Sequence, residues 1–436
     1  MTDINEEIQH RFEWCDGGVC APLGIKASGV HAGFRKNASR NDLALVVTDE
    51  PCAAAGVFTQ NVFCAAPVQY SKRRFEESSG STSWGTAKAV AVNSGNANAA
   101  TGEVGLERCE IESQLVADAV GCSPEDVLIA STGVIGVQLP LAPFEKGLPT
   151  AVAALSREGG SEAADAILTT DTFPKQCAVS FSGDDIGFRG IDFKVGGMAK
   201  GSGMIMPNMA TMISVITTDA PVKADNLYLA LKQAADCSFN KVTVDSDTST
   251  NDTCLALATG AAIASDADAH LGSDVSDAFV PGSQAFDVLL CAMKRVCTVL
   301  AREMARDGEG ATRLIDVNVC GAATESDADL AARSVANSPL VKTAVAGHDA
   351  NWGRIAMALG KSGAQFNQSD VDISIMGIEV CRGGLALEFD EDEALRRFEE
   401  KEISIDVDLH AGDFCTTIWT CDLTHDYISI NADYRT

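Results

Sequence analysis

The residue with the widest chemical choice is Thr211. It follows the glycine-dense stretch Lys200-Gly201-Ser202-Gly203-Met204-Ile205-Met206-Pro207-Asn208-Met209-Ala210 and opens the β-rich run Met212-Ile213-Ser214-Val215-Ile216. Glycine tolerates positive φ and Pro207 cannot donate a hydrogen bond, so this is a shaped loop and not a helix. A threonine at the exit of such a loop can attack the carbonyl of the residue before it. Hydrolysis of the resulting ester would part Ala210 from Thr211, giving pieces 1–210 and 211–436, and would free the Thr211 α-amine. That amine has a pKa of about 7.7–8, against about 10.4 for lysine. Near neutrality it can take the proton of its own hydroxyl and leave an activated nucleophile. A threonine also simply suits the start of a strand, and spacing alone does not separate the two.

Other stretches carry polar groups in suggestive density. Ser131-Thr132-Gly133-Val134-Ile135-Gly136 follows the apolar strand Val127-Leu128-Ile129-Ala130, so N–H groups lie on a glycine-containing turn and could stabilise an oxyanion. Any strand end needs such a turn. Thr169-Thr170-Asp171-Thr172-Phe173-Pro174-Lys175 can bind a carboxylate or amide, or its hydroxyls merely cap neighbouring elements. Val242-Thr243-Val244-Asp245-Ser246-Asp247-Thr248-Ser249-Thr250-Asn251-Asp252-Thr253 is equally rich in hydroxyls and carboxylates, but lacks the glycine and terminal glutamate of an EF-hand loop. Glu309 sits between Gly308 and Gly310, where a solvated turn has the same composition. Gly196-Gly197-Met198-Ala199-Lys200-Gly201-Ser202 has its lysine before the glycine, the wrong order for a phosphate loop.

Composition narrows the partners. The chain has 436 residues, 46% hydrophobic and 22% charged, enough for one large or two medium domains with a substantial core. Aromatics are scarce at 6% while Gly (38) and Ala abound, which suits closely packed α/β layers. The formal charge of −28 argues against nucleic acid and anionic membranes, since both repel such a surface. An anionic substrate must then be met by a local cation. Fifteen cysteines without a CxxC pair read as buried, reduced thiols of a cytoplasmic protein, and six histidines without ligand spacing give no metal site. The acidic start has no apolar signal segment, and the longest nearly apolar run, Cys254 to Ala264, is too short to span a bilayer.

The elements that must position these residues can be read in outline. Residues 1–20 read as a mobile leader. Strands are expected at 42–47, 53–58, from 87 onward, at 127–130, 178–181, 191–195, 213–216, 314–319, 371–375 and 403–409. The alternation of the last two marks them as half-buried. Helices are expected near 107–120, 142–157, 225–237, 285–306 and 325–337. The third to last of these is anchored by Asp225, and Phe286, Leu289, Met293, Val296, Leu300 and Met304 form a core stripe in the next. Residues 71–86 read as a polar surface loop. Small polar residues at 93–99 suit a tight turn that either lines a pocket or joins a strand to a helix.

The phrase around Thr211, Lys200-Gly-Ser-Gly-Met-Ile-x-Pro-Asn-Met-Ala-Thr211-Met, closely resembles the self-cleavage site of the ornithine acetyltransferase (glutamate N-acetyltransferase) family. Further motifs match from about residue 20 to the terminus. The 242–253 stretch resembles a family signature that usually has Gly where Ser246 stands. Gly347-His348-Asp349-Ala350-Asn351-Trp352-Gly353-Arg354 resembles another, with Ala350 in place of its Pro. The resemblance implies an α/β fold of mixed sheets layered with helices, of the self-cleaving N-terminal-nucleophile type. It implies transfer of the acetyl group of N-acetylornithine to glutamate in arginine biosynthesis through an ester on Thr211, by a ping-pong scheme. Thr132 and Gly133 are then the oxyanion hole, and Thr169, Lys200, Thr211, Glu309, Asn431 and Thr436 the substrate contacts. No cofactor is implied beyond acetyl-CoA as a co-substrate in bifunctional members. The products of cleavage stay together, as a heterotetramer of two α and two β chains. The alternatives are a self-cleaving Thr-nucleophile aminopeptidase or amidohydrolase, in which water accepts the acyl group, and a binding protein in which Thr211 never cleaves.

Overall fold

A computed structural model describes residues 12–206, 212–264 and 275–433. Its described strands form two mixed sheets. The first contains β1 (Phe12–Cys15), β2 (Ile25–Val30), β3 (Leu43–Phe58), β4 (Trp84–Asn96), β5 (Val127–Val134), β6 (Lys175–Ser182), β7 (Asp192–Lys200), β8 (Ile213–Thr218) and β9 (Thr253–Ala258). The order is β1-β6-β7-β8-β9-β3-β4-β5, with β2 joined to β3. The pairs β4–β5 and β8–β9 run parallel, and the others antiparallel.

Both faces of this sheet are covered, which explains the nearly unbroken apolar runs of its strands. Along β8, Ile213 and Val215 enter one core while Ile216 enters another. Along β9, Leu255 and Leu257 oppose Cys254, Ala256 and Ala258 in the same way. Helices Ala224–Asp236 and Gln284–Arg306 cover β6–β9 on one side, with the stripe from Phe286 to Met304 buried as its spacing predicts. Helices Gly102–Val120 and Ala142–Ala153 cover the β2–β5 end.

The second sheet contains β10 (Leu314–Ala322), β11 (Asp372–Ile375), β12 (Ile378–Arg382), β13 (Leu385–Ala386), β14 (Glu402–Asp408) and β15 (Phe414–Cys421), in the order β13-β12-β11-β14-β10-β15. Ile403, Ile405 and Val407 of β14 are buried against helices Glu325–Ala336, Pro339–Ala346 and Trp352–Gly360, while the residues between them stay half-exposed. The segment before β9 is tied to the second layer: Thr243 N–H donates to the Trp419 carbonyl of β15 at 2.9 Å, and Lys342 Nζ of helix Pro339–Ala346 donates to the Val244 carbonyl.

Several expectations from sequence change. Residues 12–20 are no leader: β1 pairs with β6, and Gly18–Cys20 is buried. Residues 1–11 lie outside the described residues. The stretch 71–79 is not a loop but the body of helix Ala66–Ser79, begun by Pro67 and closed by Gly80 at φ 76°. Its apolar face, with Tyr70 and Phe75 buried, was masked by the serines and arginines between. The strands expected at 42–47 and 53–58 are one strand, β3, whose register on β4 shifts between Val47 and Cys52. All fifteen cysteines are free thiols, but Cys237 and Cys415 are exposed. Among the described residues no helix is long and apolar enough to cross a membrane.

Candidate active site

Thr132, Gly133, Thr169, Lys200, Glu309 and Asn431 come from distant parts of the chain and line one cavity of about 410 Å³. Met212 and Ile213, which follow Thr211 directly in sequence, line it too. Ala210, Thr211 and Thr436 lie outside the described residues.

The Thr132–Gly133 wall is the end of β5. Gly133 sits at φ 132°, and a Cβ there would lie 2.4 Å from the Gly95 carbonyl carbon on β4. Only glycine fits both the angle and the space. Asn251 clamps this strand end: its Nδ2 donates to the carbonyls of Ala97 at 2.6 Å and Ser131 at 2.9 Å, and its Oδ1 accepts from Thr250 Oγ1 at 2.6 Å. Two residues on, Thr253 N–H donates to the Met212 carbonyl at 2.9 Å. The polar stretch 242–253 therefore ties the candidate oxyanion turn to the start of β8.

The same stretch holds the loop after β7. Asp245 accepts from Met204 N–H at 2.6 Å, from Ile205 N–H at 2.7 Å and from the Tyr427 hydroxyl at 3.3 Å. Thr248 Oγ1 donates to the Met206 carbonyl at 3.0 Å. Ser246 lies at φ 69°, which supplies a physical reason for the glycine usual there.

Glu309 enters from the turn between helix Gln284–Arg306 and β10. Its N–H donates to the Ser202 carbonyl at 2.8 Å, and its carboxylate accepts from Asn431 Nδ2 at 2.7 Å. A Cβ on Gly203 would lie 2.4 Å from that carboxyl carbon. Gly203 thus provides the room Glu309 occupies. Asn431 and Tyr427 share the helix His425–Asp433, one turn apart.

Charge in the cavity is uneven. Asp245, Asp247, Asp252 and Glu309 line it, and Lys200 is the only Lys or Arg among its described lining residues. Lys200 is buried, with its Nζ 3.9 Å from Asp171. Burial pulls the Lys200 pKa down and the Asp171 carboxylate works against that. Burial would push Asp171 up, yet Lys200, Lys175 and backbone N–H donors hold it well below the usual carboxylate range. Burial, with Asp245 and Glu309 nearby, pushes the Tyr427 hydroxyl up, so it stays a neutral donor.

Sequence reasoning did not single out Asp171, Lys175, Asp307, Asp245, Asn251 or Tyr427 individually. Asp171, Lys175, Asp245 and Asn251 lie within stretches noted for polar density, and Asp307 in the turn noted for Glu309; Tyr427 gave no signal. The 347–354 motif is not at the cavity. Ala350 and Trp352 pack on the second core, His348 stacks on Phe398, and Asn351 caps helix Trp352–Gly360 by accepting from Arg354 N–H.

The pattern described as the ArgJ family matches residues 26–436. The "Arginine biosynthesis bifunctional protein ArgJ" of Symbiobacterium thermophilum is 50% identical over 426 residues, spanning 98% of this chain and 100% of its own length. The protein of the same name from Caldanaerobacter subterraneus is 45% identical over 429 residues, again 98% and 100%. Among solved structures, that of the Bacillus halodurans protein of this name is 40% identical, with a TM-score of 0.47, covering 51% of this chain and 100% of its own. With a family match over most of its length and relatives this similar across nearly all of it, the chain belongs to the ArgJ family.

Proposed function

We propose that this chain is an acetyltransferase of arginine biosynthesis that moves the acetyl group of N-acetylornithine to glutamate through an ester on Thr211. The observation that carries this reading is the convergence of Thr132, Gly133, Thr169, Lys200, Glu309 and Asn431 on one cavity beside the two residues that follow Thr211. The names of the relatives point the same way. The chain cleaves itself between Ala210 and Thr211. The freed amine accepts the hydroxyl proton as the Thr211 oxygen attacks the acetyl carbonyl. Donors at Thr132 and Gly133 stabilise the tetrahedral oxyanion, a term worth roughly 3–4 kcal/mol per donor. The amide C–N bond breaks, ornithine takes the proton and leaves, and glutamate then takes the acetyl group from the ester.

One pocket serves both amino acids because each presents an α-carboxylate to Lys200 and Thr169. Glu309 meets the side-chain ammonium of the ornithine donor, and Asn431 steadies Glu309. Thr436 closes the contact set. Acetyl-CoA enters as a second acetyl donor, matching the word bifunctional in the relatives' names. The reading uses no metal or organic cofactor, and places a heterotetramer of two 1–210 and two 211–436 pieces in the cytoplasm.

The test is Thr211→Ala. It is expected to give one uncleaved polypeptide on a denaturing gel and to lose transfer by roughly 10⁴-fold or more. An active T211A protein would refute the nucleophile. Release of free acetate without glutamate would favour the hydrolase.

A further inference from the structure

Three segments that line the cavity rest on a common buried charge cluster: 169–172, 200–203 and 307–309. At its centre, Asp171 Oδ1 accepts from Lys175 Nζ at 2.8 Å and from Gly201 N–H at 2.6 Å. Its Oδ2 accepts from Thr169 N–H at 3.0 Å and lies 3.9 Å from Lys200 Nζ. Lys175 also pairs with Asp307 at 2.5 Å, and Asp307 accepts from Thr172 N–H at 3.0 Å. The Asp171 and Lys175 side chains are wholly enclosed and that of Asp307 nearly so. Two carboxylates thus balance two ammonium groups.

We propose that Asp171 is a positioning residue for acetyl transfer, a buried carboxylate that holds the Lys200 ammonium at the cavity wall and fixes the backbone of Thr169 and Gly201 on either side. The inference rests on the acetyl-transfer reading, in which Lys200 and Thr169 receive the substrate carboxylate. The charged groups facing Lys200 are Asp171, Lys175, Asp252 and Glu309. Asp252 and Glu309 belong to the cavity lining, so if either had to neutralise Lys200 it would be lost to the donor's ammonium. Asp171 removes that conflict by pairing with Lys200 from behind. Burial works against the Lys200 charge, and the carboxylate opposes it. Without Asp171, Lys175 keeps Asp307, but Lys200 keeps only the two cavity carboxylates and sheds its proton at a lower pH.

The experiment is Asp171→Asn, which deletes the charge and keeps one amide oxygen, able to accept from the Gly201 N–H or the Thr169 N–H but not from both. Asp307→Asn disturbs the same cluster without touching Lys200 and serves as the control. Initial rates are measured with N-acetylornithine and glutamate from pH 6 to 9. For D171N the KM for glutamate is expected to rise roughly tenfold to a hundredfold at alkaline pH, the scale of a charged hydrogen bond. It should fall back toward the wild-type value as the pH is lowered and Lys200 is reprotonated. D307N is expected to lower the thermal midpoint and to move the pH profile much less than D171N does, because Asp171 still faces Lys200. A D171N enzyme with the wild-type profile and KM, or a D307N enzyme that moves both equally, would overturn the assignment while leaving acetyl transfer standing. Failure of the wild-type protein itself to transfer acetyl would remove the reading beneath it. If D171N does not fold, NMR titration of lysine Nζ in the wild-type protein decides: a Lys200 that is neutral at pH 7 sinks the proposal.

Discussion

The two sheets solve different problems with different sequences. Strands β8 and β9 are buried at every position, and small residues let helices close over both faces. Strand β14 buries alternate residues and leaves the others half-exposed, as a sheet covered on one face does. The cavity lining gathers at the ends of the doubly covered sheet, on Thr132–Gly133 of β5, Lys200 of β7 and Met212–Ile213 at the start of β8. The second sheet contributes Glu309 just before β10 and Tyr427 and Asn431 just after β15. A strand buried on both faces has no free side-chain direction for a ligand. Its polar work is done at its ends, where the backbone leaves the ladder.

That contrast predicts that changes at the cavity ends of the first sheet's strands cost catalysis, while changes inside the strands of the second cost stability. Among the changes that test this contrast, the largest effect is expected at Gly133→Ala. The added methyl would press on the Gly95 backbone at 2.4 Å and displace the proposed oxyanion turn. The expected loss in kcat is roughly 10²–10³-fold, as for one lost donor. A G133A enzyme with undiminished kcat would move the oxyanion hole elsewhere. Ile405→Ala, in the middle of β14 and 1% exposed, should lower unfolding free energy by roughly 2–5 kcal/mol, with kcat/KM kept where the variant is folded. Chemical denaturation beside steady-state kinetics would check this, and a collapse of kcat in folded I405A would erase the distinction. The smallest effect is expected at Ser246→Gly. The residue is exposed at φ 69°, so relief of the left-handed strain should outweigh glycine's entropy cost and stabilise by about 0.5–1 kcal/mol. A lower thermal midpoint for S246G would mean that the serine side chain does something the backbone angle does not explain.

Much of this was legible in the chain. The 3.6-residue stripe from Phe286 to Met304 and the alternation of 403–409 are local patterns, and they gave elements with nearly the observed bounds. Helix Ala66–Ser79 was not legible. Its polar residues dominate the composition, and burial of Tyr70 and Phe75 depends on the sheet beneath. The 347–354 motif was legible as a resemblance, but its place in the fold was not. A conspicuous run of chemically able residues proved to be a turn and cap over the second core.

The linear order of residues by itself determined which groups could react. It placed a threonine after a glycine-rich loop, a glycine on a strand-ending turn and a lysine at the head of that loop in a strongly acidic chain, because nucleophilicity, backbone freedom and charge belong to residue types. Only the tertiary structure decided that Thr132, Lys200, Glu309 and Asn431, up to some three hundred positions apart, share one cavity, and that Asp171 stands behind Lys200. Proximity across such separations comes from strand order and from the helix that returns after β15, and no local pattern encodes either.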